Sequence, residues 1–289
     1  MKKVKAAWIE EKLAQDLKGK ICYANVLSVH KSVLNLKWGN RLITVATGET
    51  EGAADEIVLE TQEDFMDMQI LPEAVFQIKD GAIKGDMLTV DFSDAKPYKL
   101  MHQIKYSVPD EKLLTELEQW IYQNGNASSL YNGYFNQPED SALGRYFKDE
   151  MKKLKEAAAT AAREELLHQM MEMCGAGIGL TPSADDFIAG VLLIFYAYEP
   201  LDEKMYQKSV ASVQKKTVSI SGYMLANAAK GRGRSSELKL LEAISAKDKS
   251  GIEKYLEEVK DFGSTSGTDT LIGMVFGLRY IRESEEREG

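Results

Sequence analysis

Apolar positions change their period near residue 100. Before that point they fall in short runs rich in β-branched and aromatic residues and parted by turn residues: Ile21 to Val29, Ser32 to Trp38, Leu42 to Ala46, Glu56 to Leu59, Val75 to Ile78 and Met87 to Phe92. Such runs predict half a dozen strands in a small sheet or barrel covering about 20–100. Gly39-Asn40, between the second and third runs, predicts a hairpin, because both residue types accept the positive φ of a two-residue turn. Ahead of the strands, Ala7, Ile9, Leu13 and Leu17 are interleaved with charge, which predicts an amphipathic helix over 5–18.

From Glu111 onward the apolar spacing is helical. Leu113 to Tyr122 predicts one helix, Gly125 to Pro138 a loop, and Arg145 to Met173 one long helix rich in Ala, Lys and Glu. Glu203 to Lys230 predicts one or two helices with a break near Ser219–Gly222, followed by helices at Ser236 to Ser245, Ile252 to Val259 and Leu271 to Arg282. The class is therefore α+β: a mainly β domain over 1–105, opening on a short helix, then a helical bundle over 106–289. Pro97 and Pro109 punctuate the boundary.

Within the helical half two segments share a spelling. Ser183-Ala-Asp-Asp186-Phe-Ile-Ala-Gly190 and Ser266-Gly-Thr-Asp269-Thr-Leu-Ile-Gly273 each place Asp three and Gly seven residues after Ser, behind a Gly- and Thr-rich lead-in. Ser-x-x-Asp before an apolar run predicts a helix start, with the hydroxyl accepting an amide and the acid near the positive helix end. Gly190 and Gly273 then fall two turns inside, at a cost of roughly 1 kcal/mol each relative to alanine, which close approach of another helix would offset. Helix starts behind glycine loops expose unpaired amides suited to phosphate or carboxylate. Asp185 and Asp186 compete with such an anion and suit an amide, an ammonium or a metal instead. The alternative is two ordinary capped helices in a pseudo-symmetric bundle.

At 289 residues the chain is long enough for one large or two modest cores. A net charge of −9 argues against nucleic acid and for a small molecule or a protein as partner. Cys22 and Cys174 are too far apart for a zinc ribbon or a disulfide framework. The basic N-terminus soon meets Glu10, Glu11 and Asp16, and the most apolar stretch, Phe187 to Tyr198, is too short to span a bilayer, so a cytoplasmic location is expected.

The three histidines are His30, His102 and His168. His168 with Glu164 and Glu172 could share a helix face as metal ligands, although an ion-paired solvated face looks the same. His30, at a strand edge beside Ser32 and Asn35, is a candidate for binding or acid–base work. Cys174 fits a buried helix end better than a nucleophile. Lys215, Lys216, Lys230, Arg232 and Arg234 form the densest basic region, where Lys216 or Arg232 could meet an anionic substrate or merely cap helix C-termini. No Walker A, dinucleotide, His-Glu-x-x-His or Gly-x-Ser-x-Gly motif occurs, and neither a cofactor nor a metal is called for.

Gly177-Ile-Gly-Leu-Thr-Pro-Ser-Ala-Asp-Asp186 resembles the signature of the AllH family, Gly-x-Gly-Leu-Thr-Pro-Ser-Gly-Asp-Asp, with Ala184 in place of glycine. Thr217 with Ser221, Leu225, Ala228 and Gly231 is similar to the family's Thr/Ser helix, Gly263 to Asp269 to its C-terminal Ser-Gly-x-Asp loop, and Ser28 to Leu36 to its early strand pair. The resemblance implies a subunit of an oxamate carbamoyltransferase, which converts oxalurate and phosphate to oxamate and carbamoyl phosphate in allantoin catabolism. The Ser-Thr-Arg-Thr phosphate loop of the better-known transcarbamoylases is missing.

The expected site follows. Asp185 or Asp186 is the catalytic residue and orients the carbamoyl nitrogen. Gly177, Gly179, Thr181 and Ser183, with Ser264, Thr265, Ser266, Gly267 and Asp269 opposite, bind a small anionic metabolite, assisted by Lys216, Thr217, Ser221, Arg232 and His30. Partners are other carbamoyltransferase subunits or further copies of the chain, with no nucleic acid and no membrane. The alternative is a non-catalytic metabolite-binding or scaffold subunit that uses the same loops.

Overall fold

The computed structural model describes residues 2–48, 52–100, 106–160, 162–198, 210–211 and 216–288. The chain is α+β, and its backbone contacts divide it into two compact units, Met1–Met101 and His102–Gly289.

In the first unit nine strands run in order: β1 (Lys2–Glu10), β2 (Cys22–Val29), β3 (Val33–Trp38), β4 (Arg41–Thr47), β5 (Glu56–Leu59), β6 (Val75–Lys79), β7 (Ala82–Lys84), β8 (Leu88–Asp91) and β9 (Lys96–Tyr98). Helix α1 (Glu11–Leu17) follows β1, and one 3-10 turn, Phe65–Met68, precedes β6. The neighbours are β5-β4-β3-β2-β6-β7-β8-β1, and β1 returns to β5, so eight strands close a ring with β9 added along β1. The register of β1 against β5 slips between Ala6 and Trp8, the kind of irregularity that bends a strand at a barrel seam. Leu34, Leu36, Ile43, Val45, Ile57 and Ile83 are wholly buried in the core, joined by Leu13 and Leu17 of α1. The two-residue Gly39-Asn40 hairpin is present, with Trp38 opposite Arg41 and Gly39 at φ 59°.

The helix expected over 5–18 is instead strand up to Glu10. Val4 and Ala6 turn inward while Lys3 and Lys5 stay exposed, a period of two that the apolar spacing from Ala7 onward obscures. The Glu10 carboxylate accepts the Leu13 amide at 3.0 Å and so starts the helix at Glu11. Strands β7 and β9, three residues each, carry too little pattern to be foreseen.

The second unit holds α2 (Glu111–Asn124), α3 (Ser129–Tyr134), α4 (Ala142–Ala158), α5 (Arg163–Glu172), α6 (Ser183–Tyr198), α7 (Ser219–Ala228), α8 (Ser235–Ala246), α9 (Lys249–Lys260) and α10 (Ser266–Glu288), numbered over the described residues. Every residue of α6 from Ser183 to Phe195 is buried, which makes it the central helix. Helix α10 runs parallel to it: Phe187 stacks near Phe276 and Phe195 near Tyr280, at centroid separations of 5.4 Å.

Two local expectations are corrected. The segment Gly125 to Pro138 contains α3, whose N-cap Ser128 accepts the Tyr131 amide at 2.9 Å. The long helix over 145–173 is broken between α4 and α5, where the Arg287 guanidinium takes the carbonyls of Ala158 and Ala159 at 3.0 and 2.8 Å. Alanine propensity alone would carry the helix through, but a charged donor satisfies the carbonyls that the break releases. The break expected near Ser219–Gly222 lies at 216–218, directly ahead of the helix that begins at Ser219. Most of the segment 203–218, together with His102 and Lys215, lies outside the described residues.

Candidate functional site

Parallel packing of α6 and α10 sets their N-termini side by side, and the glycines explain how closely. A Cβ built on Gly190 would fall within contact of the Thr270 carbonyl and 2.9 Å from the Met274 nitrogen, whereas one on Gly273 would strike the Phe187 carbonyl. Backbone thus meets backbone. The two loops ahead of the helices touch directly, through Thr181 Oγ1 and Ser266 Oγ at 2.8 Å.

The serines begin their helices but do not cap them in the usual way. Pro182 O accepts the Asp185 and Asp186 amides, and Thr265 O accepts that of Asp269. Ser266 Oγ instead faces the Asp186 carboxyl of the other helix, and Ser183 faces Asp269. Each is close enough to favour the ionised form, but neither is in normal hydrogen-bond geometry with it.

The three carboxylates have separate environments. Asp185 is a staple: its oxygens accept the Gly175 amide at 2.7 Å and the Thr217 hydroxyl, tying both ends of the loop together. Asp186 is 1% exposed, and among the described residues neither of its oxygens has a hydrogen-bond partner. Burial above all pushes it well above the usual carboxylate range, and the nearby charge of Asp269 adds to this. Asp269 is wholly buried; one oxygen accepts Ser128 Oγ at 2.6 Å, the other is unpartnered, and burial raises the group to about 7.

The first loop, Gly175 to Pro182, turns through three glycines at φ 87°, 131° and 106°. A Cβ on Gly177 would collide with the Ser183 nitrogen, but around Gly179 there is open space. Among the described residues the Gly179, Leu180 and Thr181 amides donate to no protein acceptor. Ala184 is buried inside α6, where its amide reaches Ala176 O at 3.0 Å, so the departure from glycine falls on a helical position. Burial beside Asp185 holds the Cys174 thiol in its neutral form.

Thr217 and Ser221 reach this loop, Ser221 through the Leu180 carbonyl at 3.5 Å. Lys216 touches it with its backbone, but its ammonium goes to Glu172 at 3.2 Å. The amide of Gly267 is spent on Phe262 O at 3.0 Å and is no ligand donor, whereas Ser264 is exposed. Arg232 is not brought to the loops. It is buried and bonded to Asn227 at 3.1 Å, between Gly231 and Gly233, which abut Tyr196 and Leu193, roughly 15 Å along α6 from Ser183. Arg234 stacks on Phe262, the residue before Gly263. His30 belongs to the first unit, where its Nε2 lies 3.1 Å from Ser28 Oγ. Among the described residues no group of three His, Cys, Asp or Glu side chains is placed to hold a metal, and no helix is long and apolar enough to cross a membrane.

Ser128 and Asn126 went unnoticed in the sequence. Ser128 bonds Asp269, and the Asn126 amide bonds Thr268 Oγ1 at 2.9 Å. The Asn-Ala-Ser-Ser run is an N-cap signal, but nothing local tells that the capping serine also serves a carboxylate 141 residues away.

Two family models match the chain. Residues 5–97 match the AllH family N-terminal domain, and residues 173–278, which span both loops, match the oxamate carbamoyltransferase subunit AllH. No solved structure matches.

Proposed function

We propose a role for a chain that belongs to the AllH family, that of the oxamate carbamoyltransferase subunit: it holds a small carbamoylated or carboxylated metabolite such as oxalurate, with phosphate, across its two helix N-termini. There the carbamoyl group is transferred, in the cytoplasm and as a step of allantoin catabolism. The observation that carries this is Asp186, a carboxyl 1% exposed and without a hydrogen-bond partner among the described residues, where the second loop meets a first loop with unspent amides. A buried polar group without a partner costs on the order of 1–3 kcal/mol, a cost that a ligand N–H donor would remove.

In this role Asp186 faces the carbamoyl nitrogen, Asp185 positions the loop, and the amides of Gly179 to Thr181 hold the anionic end. Other subunits complete the enzyme. The exposed side chains of Ile178 and Leu180 at the loop tip support a partner closing over the site, at 85% and 53% exposure.

The second reading, a subunit that binds metabolite without turning it over alone, is favoured by the Thr181–Ser266 contact that joins the loops beside Asp186. Thermal shifts with oxalurate, oxamate, carbamoyl phosphate and phosphate, alone and with the products of neighbouring genes, separate the two. Transfer by the isolated chain supports the first, and stabilisation with transfer only after a partner is added supports the second. Asp186→Asn is expected to keep the fold and abolish turnover; wild-type turnover in that variant would remove Asp186 from the site.

A further inference from the structure

Helix α6 presents Asp186, Gly190 and Ile194 at intervals of four residues, and α10 presents Asp269, Gly273 and Gly277 in the same rhythm. The lower rungs touch: Gly190 and Gly273 meet the opposing backbone, and a Cβ on Gly277 would lie 2.9 Å from that of Ile194. Residues four apart lie on one helix face, so the top rung of this seam sets the two carboxyls toward each other.

The reciprocal contacts make this a local twofold arrangement. Gly190 meets the carbonyl that follows Asp269, and Gly273 meets the one that follows Asp186. Each helix's serine faces the other's aspartate.

We propose that Asp186 and Asp269 share a single proton, so that the pair carries one negative charge and Asp269 acts through Asp186 by fixing where the proton sits. Two carboxylates in one water-poor space do not both ionise, because neither charge is solvated and each repels the other. The pair is unequal. Ser128 donates to Asp269 and marks it as the anionic member, whereas Asp186, with both oxygens unpartnered, is the member that holds the proton.

The charged and titratable groups of the neighbouring elements have partners of their own. Asp185 is tied to Gly175 and Thr217 with Cys174 beside it, and Lys216 is paired with Glu172. At the end of α9, Lys260 is paired with Glu257 and Asp261, and Arg234 lies on the Phe262 ring.

Given the transfer function proposed above, on which this use of the proton rests, the step balances. The bond between the carbamoyl carbon and the departing nitrogen breaks with its electron pair on nitrogen, which takes the proton of Asp186. An oxygen of hydrogen phosphate forms the new bond to carbon, and its hydroxyl proton returns to the pair.

Proton sharing is read without substrate, by nuclear magnetic resonance titration of 13C-labelled aspartate carboxyls in the full chain. Asp269→Asn is expected to lower the Asp186 midpoint by about one pH unit or more, whereas Asp186→Asn brings no such fall at Asp269, because Asp186 still holds its proton when Asp269 ionises. An Asp186 midpoint that does not move in Asp269→Asn overturns the proposal, because a purely structural Asp269 would leave it in place. Should Asp269→Asn fail to fold, Ser128→Ala serves instead: it strips the donor from Asp269 and is expected to raise that midpoint and shift Asp186 with it, and an unmoved Asp186 again overturns the pairing. A chain with coupled midpoints but no transfer activity would retain the pair and remove only the transfer function.

Discussion

The first loop is built for approach and the second for anchorage, although the helices behind them are near copies. Ahead of α6 the chain turns through three glycines with positive φ, exposes its tip and is held by Asp185 and Thr217. Ahead of α10 one such glycine suffices; Gly267 packs on the Val259 and Lys260 carbonyls, and Ser128 and Asn126 hold the helix start from beneath. Equivalent helix ends supply equivalent carboxyls, and unequal loops decide which one a ligand meets. A pair that was symmetric throughout would have no preferred direction for a proton.

The largest test of this comparison removes its symmetric part. Gly273→Ala or Gly190→Ala places a methyl against an opposing backbone carbonyl that no rotamer change relieves, and each is expected to cost about 3 kcal/mol or more in denaturant unfolding. A cost below about 1 kcal/mol would mean that the helices part easily and that the seam does not fix the carboxyls.

Next in size are the unequal supports. Ser128→Ala strips a donor from a wholly buried carboxyl and should cost about 1–3 kcal/mol. Thr217→Ala leaves Asp185 its Gly175 amide and should cost less. A reversed order in chemical denaturation would place the anchorage on the first loop.

The remaining effect is read with pH. Asp269 binds its proton more tightly folded, near 7, than unfolded, near 4. Its contribution to stability is therefore complete below about pH 4 and is lost as pH rises through 7. Three pH units correspond to about 4 kcal/mol, so the melting temperature should fall by roughly 10 °C across that window, and Asp269→Asn should flatten the fall. A wild-type profile already flat between pH 4 and 7 would mean that the pair takes up no second proton, on Asp269, below pH 7.

Much of this was legible in the sequence because the signals are local. Glu56–Leu59 and the Gly39-Asn40 hairpin follow from β-branched content and turn chemistry, and both Ser-x-x-Asp helix starts follow from spelling. The offset for glycine inside a helix, a close helix neighbour, was foreseen as well, since an unfavourable residue needs a reason. What stayed hidden depends on distant partners. Strand β1 reads as a helix until β5, β8 and β9 are known to flank it, and the Arg287 that ends α4 sits 128 residues beyond Ala159. At the site, residue types alone could not divide labour between adjacent Asp185 and Asp186, because that division depends on Gly175 and Thr217. Nor could they show that Arg232 is drawn toward Leu193 and Tyr196 by the glycines on either side.

Strand β1 has a consequence for how the chain is made. Its partners are residues 57–59, 88–91 and 96–98, so the strand of this ring that is made first is among the last to be satisfied. Nearly a hundred residues must emerge before the ring closes, and through that interval Val4, Ala6 and Ile9 stand on an open edge. Long-range closure of this kind is slow and leaves nascent chains prone to association, so elongation speed and chaperone supply should govern the yield of this protein more than the stability of its finished barrel.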